Sequence, residues 1–319
     1  MPPRTNRLEP GTEQSDPFSS PAEKIVQGDT RALARAATLI ENRRPEAEAL
    51  LRELFPRTGR AMILGVTGAP GAGKSTLCDQ LTEKLRAEGK TVGVIAVDPT
   101  SPYTGGAILG DRIRMQRHHA DAGVFIRSMA TRGWLGGLAA ATTEMTMLLD
   151  AAGFDVVLVE TVGVGQDEVE IARLADVTLV VMVPGMGDDV QAIKAGIIEI
   201  ADVFVINKAD QLGADKLERE LNSYLGLSHR PDGWSPKIVR TVASDGQGIA
   251  ELLEAAREYH ARGSSRTRAA EIWAARLREM LRERLIERLP AEEFAAAGRE
   301  VAEHRRDPYS ILHDWLERI

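Results

Sequence analysis

VTGAPGAGKST, residues 66–76, closes an apolar run and opens an amphipathic one. It fits the spacing G-x-x-x-x-G-K-[ST] with Gly68, Gly73, Lys74 and Ser75. Glycines at those places let the backbone turn tightly, so that successive N–H groups face a phosphate. The lysine reaches the β- and γ-oxygens, and the hydroxyl after it is placed for Mg²⁺. Gly68, Ala69, Pro70, Gly71, Ala72, Gly73, Lys74, Ser75 and Thr76 are therefore the candidate phosphate cradle. The flanks agree. AMILGV before it is a buried-strand pattern, and STLCDQLTEKLRAEG after it is an amphipathic helix closed by Gly89. Such a helix turns its positive end toward the anion. An incidental glycine turn would not bring a strand and a helix with it.

Working outward, strand patterns fall at 61–66, 91–97, 124–127, 155–160, 177–183, 203–207 and 238–242, mostly separated by helical patterns. Alternation of this kind predicts an α/β fold, a doubly wound, mostly parallel sheet with helices on both faces. Residues 1–20 read as a disordered tail and 21–57 as an N-terminal helical extension, with Asp29 and Pro45 at helix starts. Residues 58–262 form the nucleotide domain, and 263–319 a wholly helical C-terminal arm.

The chain of 319 residues carries a formal charge of −7, which gives no basic footprint for nucleic acid. No apolar run approaches the length of a membrane span. The first residues lack an apolar signal core, and Glu9, Glu13 and Asp16 are unlike a transit peptide. One cysteine, Cys78, rules out an intramolecular disulfide and reads as a small buried apolar residue in a reducing compartment. The expected location is the cytoplasm. Adjacent His118 and His119 would point about 100° apart on a helix, a poor metal pair, so a packed or solvated role is expected.

Two sets of strand ends carry the chemistry. VFVINKAD ends on Asn207, Lys208 and Asp210. In an N-K-x-D guanine site the carboxylate accepts from N1–H and from the N2 amine. Adenine would leave it unpaired, which is costly. Asn207 would bond the base edge and bridge back to the phosphate loop, and the Lys208 stem would pack on the base. The alternative is a helix entry where Asp210 is only a cap. TVAS ends the next strand, placing Val242, Ala243 and Ser244 beside the base, with the Ala243 N–H toward guanine O6. Together these predict GTP and GDP as ligands. Toward the cation, Asp98, Asp111 and Glu160 lie at or beyond other strand ends, where ligands of doubly wound sheets collect. With Ser75 they offer Mg²⁺ the oxygen ligands it takes, some through water, and which carboxylate binds directly stays open. Gly163 would sense the γ-phosphate through its N–H.

RALARAATLIE, GVTGAPGAGKST, VDPTSP…GGAILGDRIRM, ETVGVGQ and NKAD, in that order, resemble the MeaB/ArgK family of P-loop GTPases over residues 30–260. The resemblance implies GTP hydrolysis with Lys74 and Mg²⁺ neutralising charge, and Asp98, Asp111 or Glu160 orienting water or metal. It also implies a switch chaperone that gates adenosylcobalamin loading of a cobalamin-dependent acyl-CoA mutase, methylmalonyl-CoA mutase first, and protects or reactivates it. A metal-insertion chaperone and a P-loop kinase are the alternatives. Ala69 stands where some relatives carry a second, trans-acting lysine, and no His-rich tract or C-x-x-C of metal-inserting relatives is present.

Two regions outside those motifs carry expectations. Trp273, Leu277, Met280, Leu281, Leu285 and Leu289 repeat at three- and four-residue steps, a stripe that a homodimer would bury, unless it packs on its own nucleotide domain. VPGMGDDVQAIKAG, residues 183–196, reads as a helix capped by Asp188 or Asp189, or as a third switch in which Lys194 pairs with an acid in one nucleotide state.

Overall fold

The computed structural model describes residues 19–98, 115–118, 120–130, 137–161, 171, 174–185, 197–227, 230, 232–263 and 266–318. Its strands are β1 Met62–Gly68, β2 Val92–Asp98, β3 Val124–Ala130, β4 Val156–Thr161, β5 Val177–Met182, β6 Val203–Asn207 and β7 Lys237–Thr241. They form one seven-stranded sheet in the order β3-β2-β4-β1-β5-β6-β7, with every pair parallel. All seven expected strands are present, β6 with the expected ends and the others with an end displaced. Among the described residues the helices of six or more residues are α1 Pro21–Val26, α2 Thr30–Glu41, α3 Pro45–Leu54, α4 Lys74–Ala87, α5 Gly137–Ala151, α6 Ala214–Leu227, α7 Ile249–Gly263, α8 Arg266–Glu287, α9 Ala291–Ala302 and α10 Pro308–Arg318.

Strands β1, β4, β5 and β6 are buried at every residue, which is why they read as continuous apolar runs rather than alternating ones. Alternation still sorts their side chains between two cores. Leu64, Val66, Val94 and Leu158 meet Leu77, Leu81 and Leu85 of α4 and Leu252 and Ala256 of α7. Ile63, Ile95, Val157 and Val159 meet the opposite layer, built from α1, α2, α3 and α5. Asp29 caps α2 by accepting from the N–H groups of Arg31 and Ala32, and Pro45 opens α3. Leu33, Ala37, Ile40, Leu50 and Leu54 of these helices share that second core with the sheet.

The arm helix α8 leans on this layer along one edge. Trp273 meets Phe55 edge-on at 5.6 Å between centroids, and the Arg276 guanidinium stacks on Trp273 at 5.0 Å. Arg276 also donates to the Leu174 carbonyl; its burial lowers its pKa, opposed by Asp176. Arg43 pairs with Glu287, and Arg284 with Glu48, each at 2.7 Å. The apolar stripe therefore splits. Trp273 packs on its own chain, while Leu277 and Leu281 stay 59% and 60% exposed. One continuous stripe meets two environments because only one edge of α8 faces α3 and α5.

Candidate functional site

β1 runs out at Gly68, and α4 begins at Lys74, so the glycine loop spans the centre of the sheet at its carboxyl edge. Gly68 has φ 138°, and a Cβ there would collide with the Val181 carbonyl of β5. Gly73 has φ 88°, and a Cβ there would sit 2.5 Å from Asn207 Nδ2. Two residues 134 positions apart thus meet without room for a methyl group. A Gly73→Ala variant is expected to lose about 1–3 kcal/mol from left-handed strain alone, and to loosen GTP binding by separating the loop from Asn207. Denaturant midpoints and nucleotide titration check both; an unchanged midpoint would contradict the close packing.

Lys74 is buried, and its ammonium donates to the carbonyls of Gly68, at 2.7 Å, and Ala69, at 3.0 Å. The cation is thereby held against its own loop at the N-terminus of α4, where backbone N–H groups already favour an anion. Ser75 Oγ donates to Glu160 Oε1 at 2.7 Å, and both residues are buried. Glu160 lies on β4 in register with Val66 of β1, so adjacent strands bring the two oxygens together. This is an all-oxygen donor pair of the kind a hard cation takes.

The second half of the site is built on Asn207, at the end of β6. Its Nδ2 donates to the Ala72 carbonyl at 2.8 Å, and its Oδ1 accepts from Thr241 Oγ1 and from the Ala243 N–H, each at 3.1 Å. The bridge from Asn207 to the phosphate loop is present as expected. The Ala243 N–H, expected to face a base, is directed at Asn207 instead. Lys208 adopts φ 55° and donates to the Gly71 carbonyl at 2.9 Å, laying its stem over the loop. Asp210 is exposed. Helix α6 begins four residues later, with the Gly213 carbonyl accepting from Leu217 at 3.0 Å, so Asp210 is not its cap.

Asp98 ends β2, two strands from β1, and the backbone is placed there. Asp111, Gly163, Asp188, Asp189, Lys194 and His119 lie outside the described residues. His118 is buried, with Nε2 2.9 Å from Asp79 Oδ1. Arg117 grips the same carboxylate, Nε to Oδ1 at 2.9 Å, and reaches Glu83 at 2.9 Å. One turn beyond Ser75, α4 thus fastens the segment 115–118. Among the described residues no group of three or more His, Cys, Asp or Glu is arranged to hold a metal.

Sequence reading passed over three residues here. Thr241 orients Asn207; its only signal was its place as the first residue of TVAS, at the strand end. Thr67 and Thr161 share a buried hydroxyl–hydroxyl bond of 2.9 Å between the roots of the phosphate loop and of the segment after Glu160. Only the parallel register of β1 and β4 pairs them.

A family model described as methylmalonyl-CoA mutase-associated GTPase MeaB matches residues 33–294. The chain belongs to the MeaB family of GTPases. A Pyrococcus abyssi protein named as a GTPase is 51% identical over 316 residues, covering 93% of this chain and 95% of that protein. The Escherichia coli GTPase ArgK is 42% identical over 240 residues, covering 73% and 72%. A crystal structure described as an LAO/AO transport system kinase superposes with a TM-score of 0.70 at 32% identity, over 93% of this chain and 95% of that one. As a MeaB-family GTPase the chain binds GTP and GDP and hydrolyses GTP. Among the described residues no helix is long and apolar enough to cross a membrane.

Proposed function

We propose that this chain is the GTP-driven switch that gates adenosylcobalamin loading of a cobalamin-dependent acyl-CoA mutase, methylmalonyl-CoA mutase in the first instance, and protects or reactivates it. The observation that carries the reading is the match, over residues 33–294, to a family defined by its association with that mutase. Lys74 neutralises charge on the phosphoryl group in flight, aided by backbone N–H groups of the glycine loop and the positive end of α4. Asp210 selects guanine, with Asn207 and Lys208 fastening its strand end to the loop. Ser75 and Glu160 would hold Mg²⁺, which would supply charge neutralisation at the phosphates. Asp98 and Asp111 orient water or metal, and Gly163 reads the γ-phosphate. The protein works in the cytoplasm.

Phosphoryl transfer to water asks for positioning and charge more than covalent chemistry. The sequence assigns no arginine finger, so intrinsic turnover is expected to be slow and the mutase to accelerate it. Purified mutase, mixed with the full chain and GDP or a non-hydrolysable GTP analogue, should co-elute in one nucleotide state and raise GTP turnover. Neither effect, beside intact basal hydrolysis, would remove the mutase reading. A second reading, a P-loop kinase, is favoured by the structural match to a protein described as a transport system kinase. Label from γ-phosphate-labelled GTP appearing on an acceptor rather than in free phosphate would support it.

The exposed Leu277 and Leu281 face of α8 supports a homodimer arm. Burying two leucines in each subunit contributes several kcal/mol, at about 1.5–3 kcal/mol per side chain. Leu277→Asp with Leu281→Asp should leave a monomer by light scattering, with basal GTP hydrolysis retained. A variant that stays dimeric would move the interface elsewhere.

A further inference from the structure

β7 is the last strand of the sheet and pairs with β6 alone. The Thr241 carbonyl accepts from the Ala209 N–H on the β6 side. Backbone groups alternate sides along a strand, so the N–H and C=O of Ile238 point to the outer edge. At the upper end that edge is already closed, because Gln247 pairs with Val242 and Gly248 lies against the Arg240 carbonyl. The lower end, 235–239, forms the floor of an open groove of about 770 Å³. One wall is α6, with Glu218, Asn222 and Leu225, and the other is α7, with Glu251 and Glu254. The side chains of Ile238 and Val239, one toward each wall, are only half-buried.

We infer that this groove takes an extended basic segment of a partner protein, added to the sheet beside β7. The floor offers outward main-chain groups for a strand to pair with, and alternate side chains of that strand would reach the two walls. The charge of the walls decides what fits. Lys237 is held by Glu258, and Arg240 by Glu218 and Asp215, which leaves the exposed Glu251 and Glu254 to set the sign. They stand three residues apart on one face of α7, so a single strand passes both. A second copy of this edge would bring like charges together, and a chain of net charge −7 does not favour nucleic acid. The site is separate from the nucleotide loop and does not depend on the mutase reading.

The test uses the full chain and two fluorescein-labelled heptapeptides, alternating Val with Lys and Val with Glu. The Lys peptide should bind saturably by anisotropy, weaken with salt, and slow amide exchange at Ile238; the Glu peptide should not bind. Reversing two exposed pairs in Glu251→Lys with Glu254→Lys should weaken the Lys peptide about tenfold or more, with basal GTP turnover unchanged. Ile238→Pro, which removes an outward N–H, should also weaken it. No saturable binding at millimolar peptide, or equal binding by the double variant, overturns the proposal. So does binding that arises only on deleting residues 1–18, which would assign the groove to the chain's own tail. Self-association lost in the double variant would assign it to a second copy, and overturns it equally.

Discussion

Lys74→Ala is expected to lower GTP turnover by about 10²–10³-fold, the cost of losing one preorganised charge donor at a transferring group. The expectation rests on where the ammonium is held. Two loop carbonyls, Gly68 at 2.7 Å and Ala69 at 3.0 Å, fix it inside the turn rather than out in solvent. A cation fixed before the reaction needs no reorganisation as charge develops, which is what makes such groups effective. Folding should suffer less. The Gly68 carbonyl that loses the lysine is buried and the Ala69 carbonyl part-buried, so the loss is that of two hydrogen bonds, about 1–3 kcal/mol. Turnover and a denaturation curve on the same preparation separate the two effects. Arginine is not expected to rescue, because a planar fork cannot replace a compact ammonium inside the turn. A folded Lys74→Ala protein with turnover within threefold of the parent would remove Lys74 from the chemistry.

Asp210→Asn should weaken GTP about 100-fold, since hydrogen bonds to a charged group contribute ~1.5–3 kcal/mol and an amide cannot accept from both guanine donors. Xanthosine triphosphate should bind better than it does to the parent, because the new amide N–H₂ meets the xanthine 2-carbonyl. The residue is well suited to a clean measurement. It is exposed, and α6 starts at Ala214 without using it as a cap, so substitution leaves the helix and the core alone. Titration with fluorescent GTP and xanthosine triphosphate gives the ratio. Equal loss for both nucleotides would mean that Asp210 acts on the loop and not on the base.

Much of the site was legible along the chain because its parts are local. A glycine-rich turn between a buried strand and an amphipathic helix has one common use, and its residues lie within nine positions. The same holds for N-K-x-D at a strand end, for Asp29 as a cap, and for β1 as a run buried on both faces. Each depends on backbone geometry and on periodicity that short windows contain. The order of strands is not local. Thr67 meets Thr161, and Ser75 meets Glu160, only because β4 inserts between β2 and β1.

The tertiary structure decided what the residues do once the windows meet. Asn207 turned out to hold Ala72, Thr241 and Ala243 together, which uses the Ala243 N–H that sequence reasoning had aimed at the base. Gly73 is required by that contact as well as by its own φ, a demand set from 134 positions away. The leucine repeat of α8 announced burial, and periodicity cannot say against what. Trp273 found Phe55 on its own chain, while Leu277 and Leu281 did not. Apolar spacing records that a face leaves water, and only packing in three dimensions names its partner, because the hydrophobic effect has no direction of its own.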